Sequence, residues 1–551
     1  MTAKMHMYVI GIFVVIQLIS LILIDYFFYG YWYEGLFKYL LACLKFKTIP
    51  NGAIVNEYLR FIIIENICAF VGLGIVSAFL YPIAIGKFKA KAAQQTSTKY
   101  ISGADLLDAK EFIKQIGEGD LPIGSFRLPV KEETKHLITV GRPGTGKTVF
   151  LSQVVERLVQ RQNKAIIYDF KGDYTERFYK PGRDILFNPL DERSIGWCVF
   201  SDIKSKLDIN NVAASLIPQT QRGEDFWNEG ARSVLAGILH YLWQSEAKTN
   251  RHIWTALTAK SEKISEWLNN IPEGKKGYRY IEDPSSKQAL GVLSTMIQYC
   301  AVFEYMKDRE EVFSITEWLS NGKPGFIFVT NQADVAATLR PILSLFIDLL
   351  GKKLLSMTDD LQKRIFFILD EFGTLQRLSS ITELLAASRS KGGSIWMGIQ
   401  DIGQIKKLYS SDTASTIVNA CGSSVMFAVA DPDTAQYLVR KVGDTEILES
   451  EETISMGPRD YKDGLTMSQR RKRQSLLMNS QLMNLPDLQA YTKVPNNPFI
   501  TLTKFQIKAY QKKEIPFIIS TDLILETVIQ KQQDIQADSE NNIDMDMIME
   551  A

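Results

Sequence analysis

Apolar spacing changes character several times along this chain. Residues 7–24 (MYVIGIFVVIQLISLILI) carry no charge, and at a helical rise of about 1.5 Å per residue they nearly cross a hydrocarbon core. The aromatics Tyr26, Phe27, Phe28, Tyr29, Tyr31, Trp32 and Tyr33 that follow suit a membrane interface. A second apolar run, 61–85, holds one acid, Glu65, near its start. Residues 7–29 and 61–85 are therefore predicted to be two transmembrane helices. The loop 30–60 between them contains the amphipathic piece LFKYLLACLKF. A cleaved signal peptide is the competing reading of the first run, but no small-residue cleavage site follows it and a second span comes later. The stretch AAQQTSTKY (92–100) reads as a polar linker.

Beyond the linker, short apolar runs alternate with amphipathic helices. HLITV (136–140), KAIIYDF (164–170), DILFNPL (184–190), GFIFVT (325–330), RIFFILD (364–370), SIWMGIQ (394–400) and SSVMFAV (423–429) read as buried strands. Helical patterns such as VFLSQVVERLVQ and RPILSLFIDLLGKKL separate them. The alternation predicts an α/β fold with a mainly parallel sheet covered on both faces, and ligands at the carboxyl ends of its strands. Between Leu190 and Gly325 the pattern is helical throughout, which predicts an inserted all-α domain. Trp227, Trp243, Trp254 and Trp267 in that insertion are read as core. The divisions are a membrane anchor over 1–91, a sheet domain over 92–195 and 321–520, an all-α domain over 196–320, and a tail over 521–551.

Composition narrows the partners. With 551 residues the chain is too long for one compact domain. Its net charge of +1 gives no global basic field, so any nucleic-acid site must be a local patch. Cys198, Cys300 and Cys421 are scattered and read as small buried hydrophobes in a reducing compartment. Four histidines without an HExxH pattern argue against catalytic zinc.

The sharpest chemistry follows the strand at 136–140. There Gly141, Arg142, Pro143, Gly144, Thr145, Gly146, Lys147 and Thr148 form GxxxxGK[ST] between a strand and a helix, the order a phosphate-binding loop requires. Backbone amides and the helix N-terminus receive phosphate oxygens, Lys147 reaches the β and γ phosphates, and Thr148 ligates Mg²⁺. The ligand expected is ATP with Mg²⁺. Asp370 and Glu371 end a second buried strand. Asp370 is placed to hold Mg²⁺ through water, and Glu371 to polarise the attacking water. Gln400 ends a third strand, where it can sense the γ-phosphate or orient that water. Arg389, on an exposed turn with Lys391, is either a solvated helix end or a cation that enters a neighbouring subunit's site. Because ATP is cytosolic, the chain from about residue 86 onward is expected inside the cell, with Lys87, Lys89 and Lys91 at the exit of the second span.

Several blocks resemble the conjugative type IV coupling proteins of the TraD/TrwB group. They are YDFKGDYTERFYKPGRDILFNPLDERSIGW (168–197), EDFWNEGARSVL (224–235), KPGFIFVTNQADVAATLRPILSLFIDLL (323–350) and GTLQRLSSITELLAASRSKGGSIWMGIQD (373–401). The resemblance implies a protein of the bacterial inner membrane whose RecA-like P-loop NTPase domains assemble as a homohexamer, each carrying an all-α domain. It implies coupling of a relaxase–DNA complex to a type IV secretion channel, with ATP hydrolysis driving single-stranded DNA. It also places the family's nucleotide site on Lys147, Thr148, Asp370, Glu371 and Gln400, with Arg389 as the arginine acting in trans. Alternatives are a docking platform that hands over relaxase or effector protein without pumping DNA, and a double-stranded-DNA translocase. The span pattern and the FYKPGRD and DFWNEGAR blocks disfavour the latter.

Two charged segments remain. QRRKRQ (469–474) is either a solvated run or a DNA contact. From about residue 526 the chain is acidic and free of aromatics, which predicts a disordered tail. In TraD-like proteins such a tail docks a relaxosome accessory protein.

Overall fold

Strand formation here follows from apolar runs too short for helices and buried on both faces. A computed structural model describes residues 2–24, 30–96, 99–219, 225–309, 311–455 and 464–523. Its strands are β1 (Lys99–Gly103), β2 (Asp105–Leu107), β3 (Leu121–Ile123), β4 (Phe126–Leu128), β5 (Leu137–Val140), β6 (Lys164–Asp169), β7 (Ile185–Phe187), β8 (Gly325–Thr330), β9 (Ile365–Leu369), β10 (Gly393–Ile399), β11 (Ser423–Met426), β12 (Asp444–Ser455), β13 (Gly464–Ser475), β14 (Gln489–Lys493) and β15 (Phe499–Lys504). Every residue of β5, β6, β8, β9, β10 and β11 is buried.

The chain divides into two units, Met1–Ser102 with Glu446–Arg473, and Gly103–Thr445 with Gln474–Ala551. The larger unit is built on a 10-stranded sheet of order β2-β15-β14-β11-β5-β10-β9-β6-β8-β7. From β11 to β7 all neighbours are parallel. The series does not close at β11, however. β14 pairs antiparallel with β11 and with β15, and β15 runs parallel to β2. The sheet is mixed and mostly parallel. The order β5-β10-β9 sets three carboxyl ends side by side, each about 4.8 Å from the next.

Helices cover the sheet through one apolar stripe each. In Lys147–Gln160 that stripe is Phe150, Leu151, Val154, Val155 and Leu158. Phe150 stacks on Trp396 of β10 with ring centroids 6.1 Å apart. Between β7 and β8 the regular elements are helical, with Phe226–Gln244 and Lys287–Cys300 the longest. Leu235 and Ile238 share one buried cluster with Phe346 of Ala336–Leu355 and with Ile166 of β6. The helical segment thus packs onto the sheet through a common core. Trp243, Trp254 and Trp267 pack against that core. Trp227 does not belong with them: it is 43% exposed on the first turn of its helix, lying over Gly291 beside Phe226.

The smaller unit holds helices Thr2–Ile24, Gly30–Lys45 and Gly52–Thr96 and the 3-stranded sheet β1-β12-β13. Among the described residues one helix is long and apolar enough to cross a membrane, over Phe70–Lys87, while Ile10–Ser20 is a shorter apolar stretch. Two spans are thus an expectation the helices do not establish, and residues 25–29 of the first lie outside the described residues. The polar linker is corrected. The third helix continues without a break to Thr96, and β1 starts at Lys99, because Ala92, Ala93, Gln94 and Gln95 are good helix formers.

Candidate nucleotide site

The turn after β5 is held open by its neighbours. Gly141 N donates to Ile399 O (3.2 Å) at the end of β10, Arg142 N to Ala428 O (2.8 Å) beyond β11, and Leu488 N to Thr145 O (2.9 Å). Thr145 Oγ1 closes the loop on Arg142 O (2.8 Å). Gly144 and Gly146 have φ of 83° and 115°, the left-handed region that glycine enters without a Cβ penalty. Helix Lys147–Gln160 starts directly at Gly146, so the unpaired amides of its first turn face the loop. Arg142, Pro143 and Gly144 form the exposed outer edge. The Lys147 side chain is buried, with Nζ donating to Gly141 O and to Arg142 O (3.2 Å). Burial pushes its pKa down, and the charges of Glu371 and Asp370 oppose that shift.

At the carboxyl end of β9, Asp370 Oδ2 accepts from Thr148 Oγ1 (3.3 Å) and from Tyr174 OH (2.8 Å). Its Oδ1 is buried without a protein partner and faces β10, where a Cβ on Gly398 would lie 2.8 Å away. Burial raises the Asp370 pKa against the pull of Tyr174 and Lys147. Glu371 follows in left-handed backbone, φ 61° and ψ 45°, which turns its side chain out of the strand direction. Its Oε2 accepts from Gln400 Nε2 at 2.9 Å, across from β10. Its carbonyl accepts from Thr374 Oγ1 (2.8 Å), which in turn meets Tyr168 OH (3.0 Å).

Lys147, Thr148, Asp370, Glu371 and Gln400 therefore come together at three adjacent strand ends. Arg389 does not join them. It is exposed, in the one-turn helix Ser388–Lys391 that precedes β10, so the whole strand, roughly 20 Å, separates it from Gln400. Near it His136 bridges two elements: Nδ1 accepts from Ile395 N (3.1 Å) and Nε2 donates to Leu385 O (2.9 Å). Burial, with a smaller push from Arg389, lowers the His136 pKa to about 4. The run 469–474 is exposed on β13, beside β12, and Lys472 pairs with Glu449 at 3.0 Å. Residues 526–551 lie outside the described residues.

Sequence reasoning did not single out Tyr174, Asp169 or Leu488, which braces the loop through Thr145. Asp169 ends β6, beside β9, and takes Tyr174 N (3.0 Å), Thr175 N (2.8 Å) and Thr175 Oγ1 (2.8 Å) on one oxygen. A carboxylate directly after the apolar run Ala165–Tyr168 was the available signal.

The residues fit a nucleotide and a divalent cation: glycine-shaped backbone, a helix N-terminus, a lysine, and a hydroxyl against a carboxylate with one oxygen unpaired. A loop of this kind between the central strand and its helix, with acids at a neighbouring strand end, defines a P-loop nucleotide-binding protein of the α/β class. Residues 120–506 match the type IV secretion-system coupling protein DNA-binding domain family, and the chain belongs to that family. Coupling protein TraD of Escherichia coli (strain K12) is 26% identical over 445 residues, which is 78% of this chain and 61% of TraD. Protein VirD4 of Agrobacterium fabrum (strain C58 / ATCC 33970) is 23% identical over 354 residues, 57% of this chain and 50% of VirD4. The chain thus spans between half and about three fifths of these curated relatives. The coupling protein TrwB, in complex with the ATP analogue ADPNP, has a similar fold (TM-score 0.68, 23% identity, 77% of this chain and 98% of that one). TrwB has also been solved with ADP and Mg²⁺ (TM-score 0.66, 22% identity, 76% and 96%).

Proposed function

We propose that this chain is the coupling ATPase of a conjugative type IV secretion system. In this reading it is held in the bacterial inner membrane by two spans, works as a homohexamer, and drives single-stranded DNA from a relaxase-bearing relaxosome into the secretion channel. The observation that carries the proposal is the split arrangement of the site. Five of its residues meet at the strand ends, while Arg389 stands exposed at the opposite end of β10, where it is available to a neighbour.

The geometry supports the following roles. Loop amides and Lys147 hold the phosphates of ATP. Thr148 and Asp370 would hold Mg²⁺, which would supply neutralisation of phosphate charge. The Glu371 carboxylate takes the proton of the attacking water, and the Gln400 amide keeps that carboxylate turned toward the phosphate end. Arg389 of one subunit stabilises charge in the next subunit's site. The domain divisions given above, the all-α segment as a DNA- or protein-facing element, and the acidic tail as a docking element for a relaxosome accessory protein belong to the same proposal.

The test is the ATPase rate of the purified chain against its own concentration, with and without single-stranded DNA. A rate per subunit that rises with concentration and again with DNA supports the proposal. A rate indifferent to DNA, together with tight relaxase binding, would replace it with a docking platform that moves no DNA.

A further inference from the structure

Tyr174 is a buried side chain that the roles above leave unused. It is 1% exposed, and its hydroxyl donates to Asp370 Oδ2, the oxygen that also receives Thr148. The backbone beneath it is fixed as well. Asp169 Oδ2 collects Tyr174 N, Thr175 N and Thr175 Oγ1, anchoring the start of helix Asp173–Phe178 to the end of β6. β6 lies beside β9, with Tyr168 opposite Leu369, so Asp169 and Asp370 end adjacent strands. Two like-charged carboxylates at adjacent strand ends repel, and each is held by a donor from the same short helix. The other Asp370 oxygen lies against β10 at Gly398, where the missing Cβ leaves it room and it has no hydrogen-bond partner, so the Tyr174 and Thr148 hydroxyls are what orient the carboxylate.

We infer that Tyr174 is a positioning residue for divalent-cation binding: its hydroxyl locks the Asp370 carboxylate in the rotamer that, with Thr148, forms the cation site, and Asp169 sets the tyrosine. The inference rests on the proposed nucleotide site and extends it to a third strand end. The alternative is a core tyrosine whose hydroxyl merely found a nearby acceptor. The two differ in what loss of the hydroxyl does: a packing role survives in phenylalanine, and a positioning role does not.

The experiment uses the full-length, detergent-solubilised protein and a fluorescent ADP analogue, titrated with Mg²⁺ and separately in EDTA. For Tyr174→Phe the expected result is a rise of about 3- to 10-fold in the Mg²⁺ concentration at half-maximal binding, in line with the net worth of one typical hydrogen bond. Binding in EDTA and the thermal midpoint should be close to wild type. In an Asp370→Asn background the same substitution should add no further change. Asp169→Asn, which keeps the side chain's size, should move the midpoint the same way and less. It decides the matter if Tyr174→Phe does not fold. An unchanged Mg²⁺ midpoint in a folded variant overturns the inference, as does an equal loss in EDTA and Mg²⁺. Lys147→Ala and Asp370→Asn are the controls. If they too leave Mg²⁺-dependent binding intact, the nucleotide site itself is misassigned.

Discussion

The two ends of β10 are ordered for different purposes. At the carboxyl end, Gln400 is bound to Glu371, Ile399 supports the loop through Gly141, and Gly398 makes room for an Asp370 oxygen. Polar groups there are committed to one another, so the end is assembled within a single chain. At the amino end, Ile395 is tied to His136, Leu385 shares that histidine, and Arg389 projects from this neutral platform into solvent. One end binds within the chain, and the other presents a cation. A strand buried along its whole length makes the two ends mechanically rigid with respect to each other. The proposed sharing of the site between copies would depend on that rigidity.

Ways to break this comparison begin with the assembled end. Lys147→Ala and Glu371→Gln should each reduce ATP turnover by about 10³-fold or more, with Glu371→Gln still binding ATP, as measured by turnover and nucleotide binding side by side. Arg389→Ala should reduce turnover by roughly 10²- to 10³-fold with nucleotide binding intact, somewhat below what a trans arginine can supply. Mixing Arg389→Ala with Lys147→Ala chains should recover part of the activity, since some junctions then pair an intact arginine with an intact loop. No recovery would place Arg389 outside the neighbour's site. Gln400→Ala should cost about 10- to 100-fold in turnover by releasing the Glu371 carboxylate.

A smaller effect tests the presented end. His136 has a folded pKa of about 4 against an ordinary 6.5, so the unfolded chain binds more protons between those values. Its contribution is fully present above pH 6.5 and is lost as pH falls toward 4, worth about 3 kcal/mol at the limit. Asp169 works in the opposite sense, because burial raises its pKa to about 6 and favours the folded state as pH falls. The comparison of wild type with His136→Asn isolates the histidine. Thermal midpoints of the variant should fall less between pH 6.5 and pH 4 than those of the wild type. Parallel slopes would mean that His136 is not held neutral.

How much of this was legible depends on how each element is buried. Strands covered on both faces announce themselves as unbroken apolar runs, and β8, β9 and β10 fall where IFFIL and its counterparts stand. β14 and β15 do not, because their buried positions include Thr492, Thr501 and Thr503, whose hydroxyls interrupt the apolar run. The loop lysine, its threonine and the paired acids carry a spacing that chemistry imposes, so they were visible. Tyr174 was not: its role arises only because β6 and β9 are neighbours in the sheet though they are far apart in the chain. The exposed Trp227 misled for the reverse reason, as a large apolar residue was assumed to seek the interior, where Phe226 and Gly291 instead seat it at the surface.

The sheet ends on both sides in strands of 3 residues, β2 and β7. Beyond β7 the main chain is already engaged by the returning C-terminal segment, with Asp191 bridged to Ile519 and Glu192 N bonded to Ile518 O. Borders this short offer little ladder for another copy to extend. In the proposed hexamer, neighbouring copies would then meet through side chains on their flanks, a contact that could slip and re-form with each round of catalysis, as main-chain pairing could not.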